Sequence, residues 1–204
     1  MTRIFIFFFV LFSACGAAKT PEPSVRSAFH AAKMQHQILF SRPSEDHVFE
    51  GYMILAEDAL LVKAFAGPGV DLFTVIRDGA SHFEELHISA LADRIDIAAV
   101  SADIARVYLG GCEKPPTADE ASCDFFGEKM TEVFDEDGRL KVRRFPEAHG
   151  IGVTVTYEEY ELYSGRAEAR RITLVWGTSP NRMVIRLVAF ELLDEVNWKI
   201  FERP

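Results

Sequence analysis

The chain has 204 residues, enough for one domain with a sizeable core and short for two. With 49% hydrophobic residues and 17 Phe against 26% charged residues, it is too apolar to be disordered over most of its length. A net charge of -9 argues against nucleic acid as a partner, because phosphate binding needs clustered Lys and Arg, and it leaves no broad electrostatic grip on anionic lipid.

Arg3 is followed by nine uninterrupted apolar residues, Ile4 to Phe12, and then by Ser13, Ala14 and Cys15. A helix of that length covers about 13 Å at 1.5 Å per residue, less than half of a hydrocarbon core of roughly 30 Å. It cannot remain as a membrane span. A cationic start, a short apolar run and small residues at the exit describe a secretory signal over residues 1–14. Gly16 to Pro23 reads as a flexible tether. The segment Leu11-Phe12-Ser13-Ala14-Cys15 resembles a bacterial lipobox, with Phe12 where that pattern usually has Leu. The resemblance implies that Cys15 is diacylated and becomes the mature N-terminus. Gly16 is not the aspartate that retains such proteins at the inner membrane, so the expected location is the outer membrane, lipid-anchored and facing the periplasm. Acyl chains anchor without basic residues, at about 0.8 kcal/mol per buried methylene. That suits a mature chain whose charge, after loss of Arg3, is about -10.

From Ser24 to Met34 the spacing predicts a short helix, with Ser24 as cap and Val25, Ala28, Phe29 and Ala32 on one face. The period then becomes two. Gln37–Ser41, Val48–Ala56, Ala59–Ala66, Val70–Arg77 and Ser81–Ile88 read as strands, several of them joined by tight turns at Glu57-Asp58, Gly67-Pro68-Gly69 and Asp78-Gly79. Connections this short join antiparallel neighbours. Leu91 to Leu109 carries helical spacing, clearest over Ser101–Leu109, where Ser101 is a candidate cap and Gly110-Gly111 a stop. A polar, proline-containing loop follows between Cys112 and Cys123. With Cys15 lipidated these two remain as an even pair, and in an oxidising compartment a disulfide is expected, worth roughly 3 kcal/mol in the chain-entropy model. A metal site there would lack a CxxC pair or a nearby His. Strands resume at Lys129–Phe134, Arg139–Phe145, Gly152–Tyr163, Ala167–Trp176 and Arg182–Leu193.

Several strands are apolar on both faces. Val48–Ala56 sets Phe49, Met53 and Leu55 opposite Val48, Tyr52 and Ile54; Val70–Arg77 sets Leu72 and Ile76 opposite Phe73 and Val75; Arg182–Leu193 sets Ile185 and Leu187 opposite Val184 and Val188. Such strands call for both faces to leave water. With few helices to cover them, a sheet of this size is expected to curl and to enclose an apolar space under short helices. The expected fold class is therefore α+β, mainly β: one domain over residues 24–204, a large curved antiparallel sheet with a helical lid. Phe49, Met53, Leu55, Leu72, Phe73, Ile185 and Leu187 are the candidate cavity residues.

The layout of lipobox, first helix, antiparallel strands, helical middle and closing strands resembles the LolA/LolB superfamily of lipoprotein carriers and receptors. The likeness runs over about Ser24 to Asp194 and is carried mostly by Gly51–Leu55, Leu60–Phe65 and Asp71–Gly79. It implies an unclosed barrel with a helical lid whose interior accepts an acyl chain or lipid. The alternative is a structural lipoprotein with a fully packed core that docks an envelope protein.

No catalytic constellation appears. His82 and His87 bracket four residues that are not HExxH, and there is no GxSxG, no P-loop and no complete dinucleotide fingerprint. Glu158, Glu159 and Glu161 with their neighbouring tyrosines read as a polar strand edge, and Arg143-Arg144 and Arg170-Arg171 as solvated faces. No enzyme, metal or cofactor is expected.

Overall fold

The computed structural model describes residues 31–43, 45–57, 59–67, 69–78, 81–89, 95–113, 119–163 and 165–202. The expected signal segment, Cys15, the tether and residues 24–30 lie outside them. Five strands come first: β1 (Ala32–Arg42), β2 (Glu45–Ala56), β3 (Ala59–Phe65), β4 (Asp71–Asp78) and β5 (Ser81–Leu86). Helix α1 (Ile97–Tyr108) follows. Six more strands complete the chain: β6 (Glu120–Phe125), β7 (Glu128–Phe134), β8 (Leu140–Phe145), β9 (Val153–Tyr163), β10 (Arg166–Trp176) and β11 (Arg182–Leu192).

They form one antiparallel sheet of eleven strands in the order β5-β4-β3-β2-β1-β11-β10-β9-β8-β7-β6. The long β1–β11 pairing joins the two halves of the chain. The edges are β5 and β6, which are consecutive strands and do not pair, so the barrel is unclosed. The crossover between them carries α1 over the concave face. Among the described residues no helix is long and apolar enough to cross a membrane.

The main core lies between the concave face and α1, with Met53, Leu72, Val75, Met130, Phe145, Val155 and Leu174 among its fully buried members. A second, smaller cluster sits apart from it. There Ile54, Leu61, Ile76 and Phe83 are covered by the chain end, through Val196, Ile200 and Phe201.

The sequence expectations need four corrections. Ala32–Met34, expected in a helix, belong to β1, where buried Ala32, Met34 and His36 alternate with Lys33, Gln35 and Gln37 at the two-residue period of a strand. The cap of α1 is Asp96, whose carboxylate accepts from the Ala99 amide at 3.1 Å; Ser101 is instead buried and accepts from Arg77 Nε. The Cys112–Cys123 stretch is not loop throughout, because β6 starts at Glu120 and contains Cys123. Nor do both faces of every apolar strand leave water: Val48, Tyr52 and Val188 are 57%, 41% and 59% exposed, since the chain end covers only the β3–β4 side of the outer surface.

Candidate ligand cavity

Helix α1 packs Ile104, Ala105 and Val107 into the core and is also tied to the sheet by polar bonds. Its first turn is apolar except for the Asp96 cap, but its buried face carries Ser101, Asp103 and Arg106. Buried polar groups persist only when paired, and each of these has a partner on another element. Arg77 of β4 donates to Ser101 at 2.9 Å. Trp176 Nε1 of β10 donates to Asp103 Oδ2 at 2.8 Å, and His149 Nε2 lies 3.0 Å from Asp103 Oδ1. Arg106 binds Asp103 at 2.6 Å and forks onto both oxygens of Glu128 at 2.7 and 2.9 Å. Burial disfavours the Arg106 charge, yet Glu128 and Asp103 outweigh it and hold the guanidinium firmly protonated. In return the Arg106 hydrogen bonds hold the Glu128 carboxyl below its ordinary range.

The C-terminal end of α1 is held by Arg143, which projects inward from β8 beside Phe145. Its Nη1 donates to the carbonyls of Arg106, Val107 and Leu109 at 3.0 to 3.1 Å, and Nη2 to that of Gly110 at 2.9 Å. A helix end leaves its last carbonyls unpaired and partly negative, so a cation satisfies both needs there. Nε of the same residue pairs with buried Glu132 at 2.8 Å, whose other oxygen accepts the Cys112 amide. Tyr157 adds a 2.7 Å bond to the Val107 carbonyl, and its burial pushes the phenol up to about 12. Gly110 leaves the helix at φ +62°, a left-handed turn that glycine adopts without strain. The Cys112–Cys123 disulfide then ties the chain to β6, with Cα atoms 5.5 Å apart.

Between the first half of α1 and strands β1–β4 and β11 the packing stops. A cavity of about 480 Å³ remains, lined by Ile38, Phe49, Met53, Phe73 and Ile185 below and by Ala99, Val100 and Ile104 of α1 above. Exposed Arg42 and Glu45 stand at its rim. One row of paired residues crosses its floor: His36 beside Gly51, Gly51 beside Ala64, Ala64 beside Phe73. The middle two positions carry almost no side chain, while the flanking rows carry Phe49 and Ile38 on one side and Met53 and Val62 on the other. The result is a shallow trough across the strands, about 14 Å from β1 to β4 at roughly 4.8 Å per strand. His36, only 5% exposed, closes the β1 end, and its Nε2 lies 3.0 Å from the Tyr108 hydroxyl of α1. Burial lowers the imidazole to about 4 and raises the Tyr108 phenol well above its ordinary value, so both are neutral.

No protein-family model matches this sequence, and no curated protein does. The structure is similar to that of a LolA superfamily protein from Nitrosomonas europaea, with a TM-score of 0.59 at 14% identity over 88% of this chain and 93% of that one. It also resembles a putative outer membrane lipoprotein-sorting protein domain from Vibrio parahaemolyticus, with a TM-score of 0.57 at 12% identity over 87% of this chain and 91% of that one. A DUF1329 family protein from Desulfovibrio piger gives 0.52 at 9% identity over 87% and 91% of the two chains. The fold is LolA-like.

On this LolA-like sheet, Phe49, Met53, Leu72, Phe73 and Ile185 of the expected cavity residues lie on the wall. Leu55 and Leu187 do not. Leu55 pairs with Ala32 and Leu60, where the core is closed, and Leu187 pairs with His36, so its neighbour fills the wall instead. Several polar positions escaped the sequence reading. Arg143 was expected on a solvated face, but it is 6% exposed and only Arg144 faces water. Tyr157, assigned to a polar strand edge, is a core residue. His36, Asp103, Tyr108, His149 and Trp176 all line the cavity. The signal for His36 was present in the run Ala32, Met34, His36, Ile38, Phe40, whose two-residue period sets the histidine on an apolar face. No cluster of His, Cys, Asp and Glu able to hold a metal occurs among the described residues.

Proposed function

We propose that this LolA-like chain is a non-catalytic cell-envelope protein that holds an apolar chain, a lipid or acyl group, between its sheet and α1 and hands it on. The lining of the cavity carries this reading: Ile38, Phe49, Met53, Phe73, Ile185, Val100 and Ile104 make most of its wall apolar, and its volume of about 480 Å³ falls within the range of small-molecule sites. Partitioning is the mechanism, at about 0.8 kcal/mol for each methylene that leaves water. The buried charges of Asp103 and Arg106, and that of Arg143 with Glu132, are paired and hold α1 in place. Diacylated Cys15 and an outer-membrane position facing the periplasm complete the proposal. They are supported by the signal-like N-terminus, and the envelope setting by the description of the Vibrio neighbour as a lipoprotein-sorting domain.

Native mass spectrometry of protein released from membranes tests the reading. Co-purified lipid or fatty acid in the cavity is the expected result, and consistently empty protein overturns it. Growth with a radiolabelled fatty acid tests the anchor, which should label the natural chain and not C15S. The exposed Val48, Tyr52 and Val188 favour a second reading, an apolar outer surface that docks an envelope protein. Crosslinking in the native envelope separates the two, since a carrier traps lipid and a scaffold traps a protein.

A further inference from the structure

The trough has one polar end, and its hydrogen bonding can be counted. Neutral histidine offers one donor and one acceptor, and a phenol one donor and an acceptor oxygen. The single bond between His36 Nε2 and Tyr108 Oη consumes one donor and one acceptor. Whichever group gives its hydrogen, the pair retains one more: the Nδ1 hydrogen of His36 or the hydroxyl hydrogen of Tyr108. No described residue bonds His36 Nδ1, and the residue, 5% exposed, lines the cavity. That donor faces the cavity and is available to whatever occupies it. The remainder of the floor, Gly51, Ala64 and Phe73, offers no acceptor side chain.

We propose that the ligand carries an uncharged carbonyl, as in an ester or amide, and that the His36–Tyr108 pair hydrogen-bonds it while the attached chain lies along the Gly51–Ala64 trough. This rests on the proposed function and names the chemical class that its cavity selects. A carboxylate is disfavoured at the same point. Both members of the pair are held neutral by burial, so neither supplies the countercharge that a buried anion needs. Gly51 is the position that sets the depth of the trough. A Cβ there would meet Ile38 Cδ1 at 3.3 Å, the end of a movable side chain, so a larger residue is accommodated by the fold but fills the floor.

The test uses Trp176 emission in the full chain carrying W198F, since Trp176 lines the cavity and Trp198 does not. Methyl dodecanoate and dodecane are titrated as probes of equal chain length. The ester should bind about five- to tenfold more tightly than the hydrocarbon, the effect of one neutral hydrogen bond. In H36F/Y108F, which removes both protein partners, that preference should vanish or reverse, because the ester carbonyl is then buried without a donor. G51L should weaken both probes by tenfold or more. Equal binding of ester and hydrocarbon to the W198F protein overturns the carbonyl anchor and leaves the apolar cavity standing. Failure of both probes to bind overturns the proposed function itself. If the double variant does not fold, the ester-to-hydrocarbon ratio in the W198F protein and the G51L result still decide.

Discussion

Replacing Arg143 with Met removes the cation that holds the end of α1. In the folded protein this side chain touches four carbonyls at and just beyond the end of α1 and the carboxylate of Glu132, which is itself only 2% exposed. Breaking a buried pair by deleting one partner costs about 3–5 kcal/mol. An orphaned buried carbonyl adds about 1–3 kcal/mol. The two effects overlap where water enters the vacated space, so a total loss of about 5 kcal/mol is expected, a large share of the roughly 5–15 kcal/mol that stabilises a domain. Urea denaturation followed by circular dichroism measures it. The double variant R143M/E132L should recover about 2 kcal/mol, because the uncompensated carboxylate is gone while the helix carbonyls stay unpaired. A loss below about 1 kcal/mol in R143M would refute the idea that a buried cation holds the lid helix at its carbonyl end.

The pH dependence of stability reports on His36. Its folded value of about 4 lies below the ordinary 6.5, so between those limits the unfolded chain takes a proton that the folded chain refuses. The contribution of neutral His36 is complete above about pH 6.5 and is lost as pH falls toward 4, amounting to about 3 kcal/mol at 1.36 kcal/mol per pH unit. The stability difference between the natural chain and H36F should therefore narrow by that amount from pH 7 to pH 4 in denaturation curves; a constant difference contradicts it. Replacing both Cys112 and Cys123 with Ala should cost roughly 3 kcal/mol and lower the melting temperature, and an unchanged melting temperature would show that the staple is idle. G110A should cost about 1–2 kcal/mol for the left-handed backbone alone. Its methyl, 3.1 Å from the Phe125 ring, should raise the loss seen by calorimetry.

Much of the sheet was readable because most of its strands carry a recognisable apolar face and end at turn residues. The exception, β6, shows why readability fails. Ala121, Cys123 and Phe125 alternate correctly, but the run is six residues long, polar on its other side and placed after a proline-rich stretch. The cavity floor was partly readable for the same reason, through Phe49, Met53, Leu72, Phe73 and Ile185. Its polar members were not. Asp103, Arg106, Arg143 and Glu132 look like surface residues in a sequence, because what buries each of them is a partner 3 to 73 positions away, from Asp103–Arg106 to Asp103–Trp176. Periodicity identifies a face; it does not identify a partner across the barrel.

Those partners also explain why the cavity is not simply closed by collapse. The cavity opens to solvent at the Arg42–Glu45 rim, yet its apolar walls would bury more surface by closing on one another. Apolar packing alone would draw α1 down onto Gly51 and Ala64. The helix is instead fixed at defined heights by bonds to β1, β4, β8, β9 and β10 through His36, Arg77, Arg143, Tyr157 and Trp176. Directional bonds between rigid elements hold two apolar surfaces apart, which nondirectional burial cannot do. A ligand that fills the space takes those apolar walls out of water. Its binding energy therefore appears as added stability of the folded state, growing with the logarithm of its concentration above Kd.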